Sequence, residues 1–274
     1  MGGEESCESI LTRLKRMLDP SVWARLQAGL EAAASSGDPA MIYHEVSKLD
    51  RSYYGGSLAR AFPGYFKRYE GAVCTRLPPP LESSGVDVLM ALRSRRSRRE
   101  YSGEPLSLGE LSTILYYTLG IVGRAWWGGP KRPYPSAGAL QPIEAYVFSS
   151  AVDGLEEGLY HYYPPGHCLE RLGGQSIEDL YRASLEQEHV AEAAAAIVLT
   201  AVYARTASKY GNRSYRYVHW DAGFAGQNVY LVCEALGLAT VAVGAFYDEE
   251  LCSIIGLDCR EEIPMLVFPI GRRV

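Results

Sequence analysis

Apolar positions along this chain fall into short stretches whose spacing changes from one region to the next. Near the N-terminus Leu11, Leu14 and Leu18 recur at helical spacing, and Trp23, Leu26 and Leu30 continue that pattern after Pro20. Ser35-Ser36-Gly37-Asp38-Pro39 stops it. From Tyr43 to Arg76 the chain is rich in Tyr and Gly without a clear period. Pro78-Pro79-Pro80 followed by Ser83-Ser84-Gly85 reads as a linker. The pattern therefore predicts a helical N-terminal extension over residues 1–80 and one domain over 81–274.

Within that domain the elements sharpen. Ser107-Leu108-Gly109-Glu110 has the form of a capping box, and Leu108, Leu111, Leu115 and Leu119 give the following helix one apolar face. Residues 123–135 read as a loop that carries Trp126-Trp127 beside Gly128-Gly129. Strands are expected at 143–148, 197–203, 238–243 and 266–270. A hairpin is expected at 159–163 and 168–172 around Pro164-Pro165-Gly166. Helices are expected over 177–194, from an Asp221 cap to just before Gly237, and over 248–255 with Gly256 as terminator. Helices and strands mix without regular βαβ alternation, so the class is α+β rather than a doubly wound parallel sheet.

Composition narrows the function more than the fold. With 47% apolar and 22% charged residues and a net charge of −5, wholesale disorder, collagen and fibrous coiled coil are excluded. The longest clean apolar run, 193–202, is about half of the ~20 residues a membrane span needs. The N-terminal region is charged and lacks a signal-type apolar segment. A cytoplasmic protein without a membrane partner is the expectation. The six cysteines form no CxxC pair and no Cys/His cluster, so they are expected as small buried hydrophobes, with no metal site.

Three segments carry candidate chemistry. Residues 93–99 hold five arginines in an acidic protein, and a second basic pair, Arg272-Arg273, follows the last expected strand. Five like charges so close repel one another unless an anion sits among them, and arginine's planar fork suits phosphate. A pI near 5.6 and the absence of interleaved aromatics argue against nucleic acid, which leaves one compact phosphate. Next, Tyr134-Pro-Ser-Ala-Gly-Ala-Leu-Gln-Pro142 runs into a strand, and its small residues let backbone N–H groups approach a flat ligand. No dinucleotide fingerprint, Walker A motif or nucleophile elbow is present. Lastly, Lys209-Tyr210 stands just after an expected buried strand, where such a pair can transfer a proton, or else can lie on a surface loop with snorkelling side chains.

Together and in this order, these segments resemble the nitroreductase family of flavin enzymes, and more closely its SagB-type dehydrogenase branch, which includes the azoline oxidases of ribosomal peptide biosynthesis. The matching stretches are 95–101 (RRSRREY), 135–144 (PSAGALQPIE), 158–162 (GLYHY), Gln187, 209–217 and 221–228 (DAGFAGQN). They continue with 235–238 (ALGL), 243–246 (VGAF) and 270–273 (IGRR); in the extension, 43–48 (YHEVSK) also matches. The chain departs from the family at Ala139, where relatives often carry Asn or Gly, and at Gln141, where they often carry Tyr.

The resemblance implies an FMN-binding α+β fold with a central, mostly antiparallel sheet flanked by helices, and a homodimer with the flavin at the subunit interface. It implies that Arg95, Arg96, Ser97 and Arg99 hold the FMN phosphate and ribityl chain, with Arg273 and Arg272 completing the phosphate site. Pro135, Ser136, Ala137, Gly138 and Gln141 would lie against the isoalloxazine, and Val243, Gly244 and Ala245 near its reactive edge. Lys209 and Tyr210 would be catalytic. The implied activity is FMN-dependent oxidation of thiazoline or oxazoline rings in a small-molecule or peptide substrate, with a cyclodehydratase as further partner. An NAD(P)H-dependent nitro or quinone reductase and a non-catalytic flavin-binding docking subunit are the alternatives.

Overall fold

The structure, a computed structural model, describes residues 7–49 and 61–274, so the centre of the Tyr- and Gly-rich stretch, residues 50–60, lies outside the described residues. Contacts divide the chain into two units, one of Met1–Arg60 with Ala207–Arg216 and one of Ala61–Thr206 with Tyr217–Val274. The boundary thus falls at residue 60 rather than at the proline run. Residues 61–80 are built into the larger unit because Cys74–Arg76 pairs with a strand there.

The smaller unit contains α1 (Cys7–Met17), α2 (Pro20–Ser36) and α3 (Ala40–Val46). Asp19 caps α2 by accepting from the Ser21 amide at 2.8 Å, Pro20 occupies the first turn, and Gly37 ends the helix at φ 71°. Helices α2 and α3 cross closely at Gly29, where a Cβ would come within 2.9 Å of the Ile42 Cα.

The larger unit opens with β1 (Cys74–Arg76), α4 (Val88–Ser94), β2 (Leu106–Ser107), α5 (Leu108–Leu119), β3 (Gly123–Arg124), β4 (Pro130–Lys131) and β5 (Ile143–Ser149). Then come β6 (Val152–Asp153), β7 (Gly158–Tyr163), β8 (Cys168–Gly173), α6 (Ile177–Ala183), α7 (Glu188–Ala191) and β9 (Ala195–Val202). Helices α8 (Tyr203–Tyr210) and α9 (Ser214–Ala235) carry the chain through the smaller unit's segment and back. The chain finishes with β10 (Leu238–Thr240), α10 (Asp248–Ile255) and β11 (Glu262–Arg272). Seven strands form one sheet in the order β1-β8-β7-β5-β9-β11-β10, with every neighbouring pair antiparallel. The α+β expectation holds.

The central strands bury both faces, as their near-continuous apolar sequences require. Along β5, Ala145 and Val147 join a cluster with Leu111 and Leu115 of α5 and Val229 of α9. Tyr146 and Phe148 join Leu180 of α6 and Leu251 of α10 on the opposite face. The period-2 alternation thus fixes two helical layers, one on each side of the sheet.

Local expectations largely hold, with physical reasons where they do not. The Ser107–Glu110 capping box forms in both directions. The helix expected over 177–194 breaks into α6 and α7 because Leu185 (φ 57°) and Glu186 (φ 51°) adopt the left-handed region. The helix expected to start at Asp221 begins seven residues earlier, so Asp221 is no cap. Lys209 and Tyr210 lie on α8 rather than on a loop. The cysteine reading is corrected most: Cys74–Cys168 and Cys252–Cys259 are disulfides, each with Cα atoms 5.7 Å apart, and only Cys233 is a buried free thiol among the described residues. Their separations of 94 and 7 residues form no recognisable spacing, and for the first pair only the β1–β8 alignment brings the sulfurs together. Among the described residues, no helix is long and apolar enough to cross a membrane.

Candidate functional site

After α4 the arginine segment straightens and runs along the edge made by β10 and β11. The Arg98 amide donates to the Thr240 carbonyl at 3.0 Å, Tyr101 bridges Arg273, and the Ser102 amide donates to the Arg272 carbonyl at 3.0 Å. These backbone bonds bring residues 96–100 and Arg273 around one cleft of about 460 Å³. Arg96, Ser97, Arg98, Arg99 and Arg273 all line it. Strand alternation separates the last two arginines. Arg272 points the other way, to Glu110 at 3.0 Å and Glu104 at 3.5 Å, and takes no part in the cleft lining. Arg95 likewise stands beside the cleft, with its guanidinium 4.9 Å from the centre of the Tyr230 ring.

Glu234 of α9 organises the cleft's cations, bonding Arg273 at 2.8 Å and facing Arg98 at 3.7 Å. With Glu100 also lining the cleft, four arginines face two acidic side chains, so the cleft keeps a net positive charge. The Nε atoms of Arg98 and Arg273 are buried without hydrogen-bond partners. A buried donor left unmade costs about 1–3 kcal/mol, so such atoms are tolerated where a ligand completes them. A phosphate, which accepts several charge-assisted hydrogen bonds, fits this donor set.

The small-residue loop is held in an unusual shape. Gly138, Ala139 and Gln141 all take positive φ, at 60°, 55° and 53°. For the two non-glycine residues this is strained and persists only where surrounding contacts impose it. The contacts are visible. Ser136 Oγ donates to Asp221 Oδ2 at 2.6 Å and accepts the Gln141 amide at 3.0 Å, while the Ala137 amide donates to Asp221 Oδ1 at 3.3 Å. Burial raises the Asp221 carboxyl to about 6, although the Ser136 and Ala137 hydrogen bonds pull the other way. Arg205 anchors the loop's end by donating to the Gln141 carbonyl at 3.0 Å, and it also pairs with buried Glu144 at 2.5 Å. Burial alone would raise Glu144, but Arg205 and a hydrogen bond from His161 hold its carboxyl down at about 2. The Gln141 Oε1 is buried without a partner.

A third segment follows β10. Val243 exchanges both backbone hydrogen bonds with Val267, at 2.8 and 2.9 Å, which fixes the backbone just before Gly244 and Ala245. Those two residues are exposed, and a Cβ on Gly244 would meet nothing within 4 Å. Gln187 steadies the segment by donating to the Ala245 carbonyl at 3.1 Å.

Helix α9 supports all three segments, through Asp221 to the 135–141 loop and through Glu234 to the arginine cleft. Tyr230 adds a third support: its hydroxyl lies 2.9 Å from Ser97 Oγ and accepts the Ala242 amide at 2.8 Å. Sequence reasoning missed Asp221 and Tyr230 as site-forming residues. Polar side chains in a helix otherwise apolar on most sides were the available sign.

Lys209 and Tyr210 belong to the segment of the smaller unit. Lys209 is exposed, with its ammonium 5.3 Å from the centre of the Tyr210 ring. The nearby arginines are engaged with other groups: Arg213 donates to the Ser47 carbonyl at 2.8 Å, Arg216 to Ser47 Oγ at 2.8 Å, and Arg205 to Glu144.

Similarity to known proteins agrees with this architecture. The Methanocaldococcus jannaschii protein MJ1384, which carries a nitroreductase name, is 41% identical over 200 residues, covering 73% of this chain and 96% of that one. The Escherichia coli microcin B17-processing protein McbC is 30% identical over 146 residues, covering 51% of this chain and 54% of McbC, so the match spans about half of that relative. A chain in the structure of the E. coli microcin synthetase McbBCD complex shares the fold at a TM-score of 0.57 and 23% identity, with 99% of both chains covered. The nitroreductase family profile matches residues 92–272, from the arginine segment to the end of β11, and the chain belongs to the nitroreductase family.

Proposed function

We propose that this protein is a cytoplasmic FMN-dependent dehydrogenase of the SagB type that oxidises azoline rings in a peptide substrate. The observation that carries the flavin reading is the cleft in which Arg96, Ser97, Arg98, Arg99 and Arg273 converge with two buried, unpartnered guanidinium N–H groups. These residues would hold the FMN phosphate, and the 135–141 loop with Gly244 and Ala245 would meet the ring system. Bound FMN would supply the two-electron acceptor for a hydride. Ring oxidation also releases a proton, and Lys209 with Tyr210 is the pair we assign to remove it. The microcin B17-processing name of McbC supports a substrate of that kind, and a cyclodehydratase that makes the azoline is the partner this reading requires.

A homodimer completes the site in this reading. Helix α9 buries Val218, Ala225, Val229 and Cys233 against the sheet yet leaves Trp220 half exposed and Phe224 48% exposed. Val88, Leu89, Met90 and Leu92 of α4 are also exposed, beside an apolar groove of about 440 Å³ lined by Leu81, Val86, Val88 and Leu236. A second copy covering these patches would remove apolar surface from water.

The wide coverage of MJ1384 favours a second reading, reduction of nitro compounds or quinones by NAD(P)H through the same flavin. One experiment separates the two. The flavin released from purified protein is identified by mass, then the anaerobic holoprotein is offered azoline peptide or NAD(P)H while flavin absorbance is followed. Bleaching by azoline peptide supports the dehydrogenase; bleaching by NAD(P)H alone supports the reductase; release of FAD or no flavin overturns both.

A further inference from the structure

Asp221 is a buried ionisable group that the proposed chemistry leaves unused, and its partners define what it does. Its two carboxylate oxygens take the Ser136 hydroxyl at 2.6 Å and the Ala137 amide at 3.3 Å, so both bonds fall on the turn where the backbone enters the left-handed region. The Ser136 oxygen in turn accepts the Gln141 amide at 3.0 Å. An ionised carboxylate can only accept, so it commits the hydroxyl proton of Ser136 to itself and leaves the oxygen facing Gln141 as an acceptor. The two ends of the loop are thereby cross-tied through one side chain.

We infer that Asp221 is the positioning residue of this site: its carboxylate sets the direction of the Ser136 hydroxyl and holds residues 136–141 in the shape that receives the flavin ring. The inference rests on the flavin reading only for the identity of the ligand; the cross-tie concerns this chain's own residues. Burial works against the ionised form, which a packing role would not require; a neutral residue would fill the same space. The other groups near it are Tyr134, whose buried phenol is pushed up by desolvation and by Asp221, and Arg132 and Arg205, which act on Tyr134 in the opposite sense.

The test compares the full-length protein with Asp221→Asn and Ser136→Ala. In the first arm, amide hydrogen exchange of residues 136–141 is measured at pH 7.5 and corrected for intrinsic rates, with no flavin added. Exchange roughly 10-fold faster in both variants, with the rest of the larger unit unchanged, is the expected result, as loss of one charge-assisted hydrogen bond implies. In the second arm, FMN titration should give a Kd raised ~10-fold in Asp221→Asn. Unchanged exchange in both variants overturns the inference. Should Asp221→Asn fail to fold, Ser136→Ala still decides it. Wild-type protein that binds no FMN would sink the flavin reading, while the exchange arm would still judge Asp221.

Discussion

The hydroxyls of Ser97 and Tyr230 lie 2.9 Å apart, and the Tyr230 oxygen also accepts the Ala242 amide at 2.8 Å. Either hydroxyl can donate across this contact, which ties cleft-lining Ser97 to α9. Tyr230→Phe removes this arrangement while keeping the ring that Arg95 covers. We expect FMN affinity to fall ~3- to 10-fold, about the worth of one hydrogen bond, with little change in thermal stability. Flavin titration by fluorescence measures it.

Arg272 and Arg273 are neighbours with different duties. Arg273→Ala should weaken FMN ~10- to 100-fold, because it removes a charge-assisted donor from the cleft. Arg272→Ala, which loses surface ion pairs to Glu104 and Glu110, should leave the FMN Kd within about 2-fold. Equal losses from both substitutions would mean that the strand-face distinction has no functional content.

Lys209→Ala should retain flavin and fold yet lose ~10²–10⁴ in turnover of the azoline substrate, the scale of general acid–base catalysis. Tyr210→Phe should lose less. Normal turnover by Lys209→Ala would leave the pair without a chemical role and bring the reductase reading forward.

Buried ionisable groups shape the response to acid. Glu144 is held at about 2 in the folded state against an ordinary 4.5, so its contribution is present above pH 4.5 and is lost as the pH falls towards 2. The magnitude is about 3 kcal/mol. Asp221 has the opposite sign. Its raised value means the fold is most favoured with the carboxyl protonated, and that stability is lost as the pH rises from 3.8 through about 6. Asp221→Asn should therefore melt no lower than wild type at pH 7.5, and Glu144→Gln should flatten the acid limb of a Tm-versus-pH curve.

The Cys74–Cys168 disulfide closes a loop of 94 residues. Loop-closure entropy on that scale corresponds to roughly 4–5 kcal/mol. A Cys74→Ser, Cys168→Ser double variant should show a Tm lower by several degrees, whereas Cys252→Ser, Cys259→Ser, with a separation of 7, should cost less. Similar losses would argue that native packing rather than chain closure sets the effect.

Much of this molecule was legible wherever information is local. The strand over 143–148, the Pro164-Pro165-Gly166 hairpin and the Ser107–Glu110 capping box each depend on residues a few positions apart, and each formed. The arginine cluster was legible because five like charges in seven residues need an anion. What stayed hidden depends on strand pairing and helix phase. Cys74 meets Cys168 only once β1 lies on β8, and Arg272 parts from Arg273 only once β11 has a cleft on one side. Asp221 resembled a helix cap because Asp before an apolar run usually is one; the helix began at Ser214, and the carboxylate was freed for Ser136. Leu185 and Glu186 broke a helix whose apolar spacing continued through them, since periodicity does not report φ.

Helix α9 also sets a scale. Asp221 and Tyr230 are nine residues apart on one unbroken helix, which at 1.5 Å per residue separates the loop support from the cleft support by about 14 Å. That interval is counted in helical turns rather than in loop length, so the chain can vary between strands without moving the two half-sites. One residue inserted between Asp221 and Tyr230 would swing one support by about 100° relative to the other. Residues 222–229 therefore behave as a ruler, and descendants of this sequence should accept insertions almost anywhere on the surface before they accept one there.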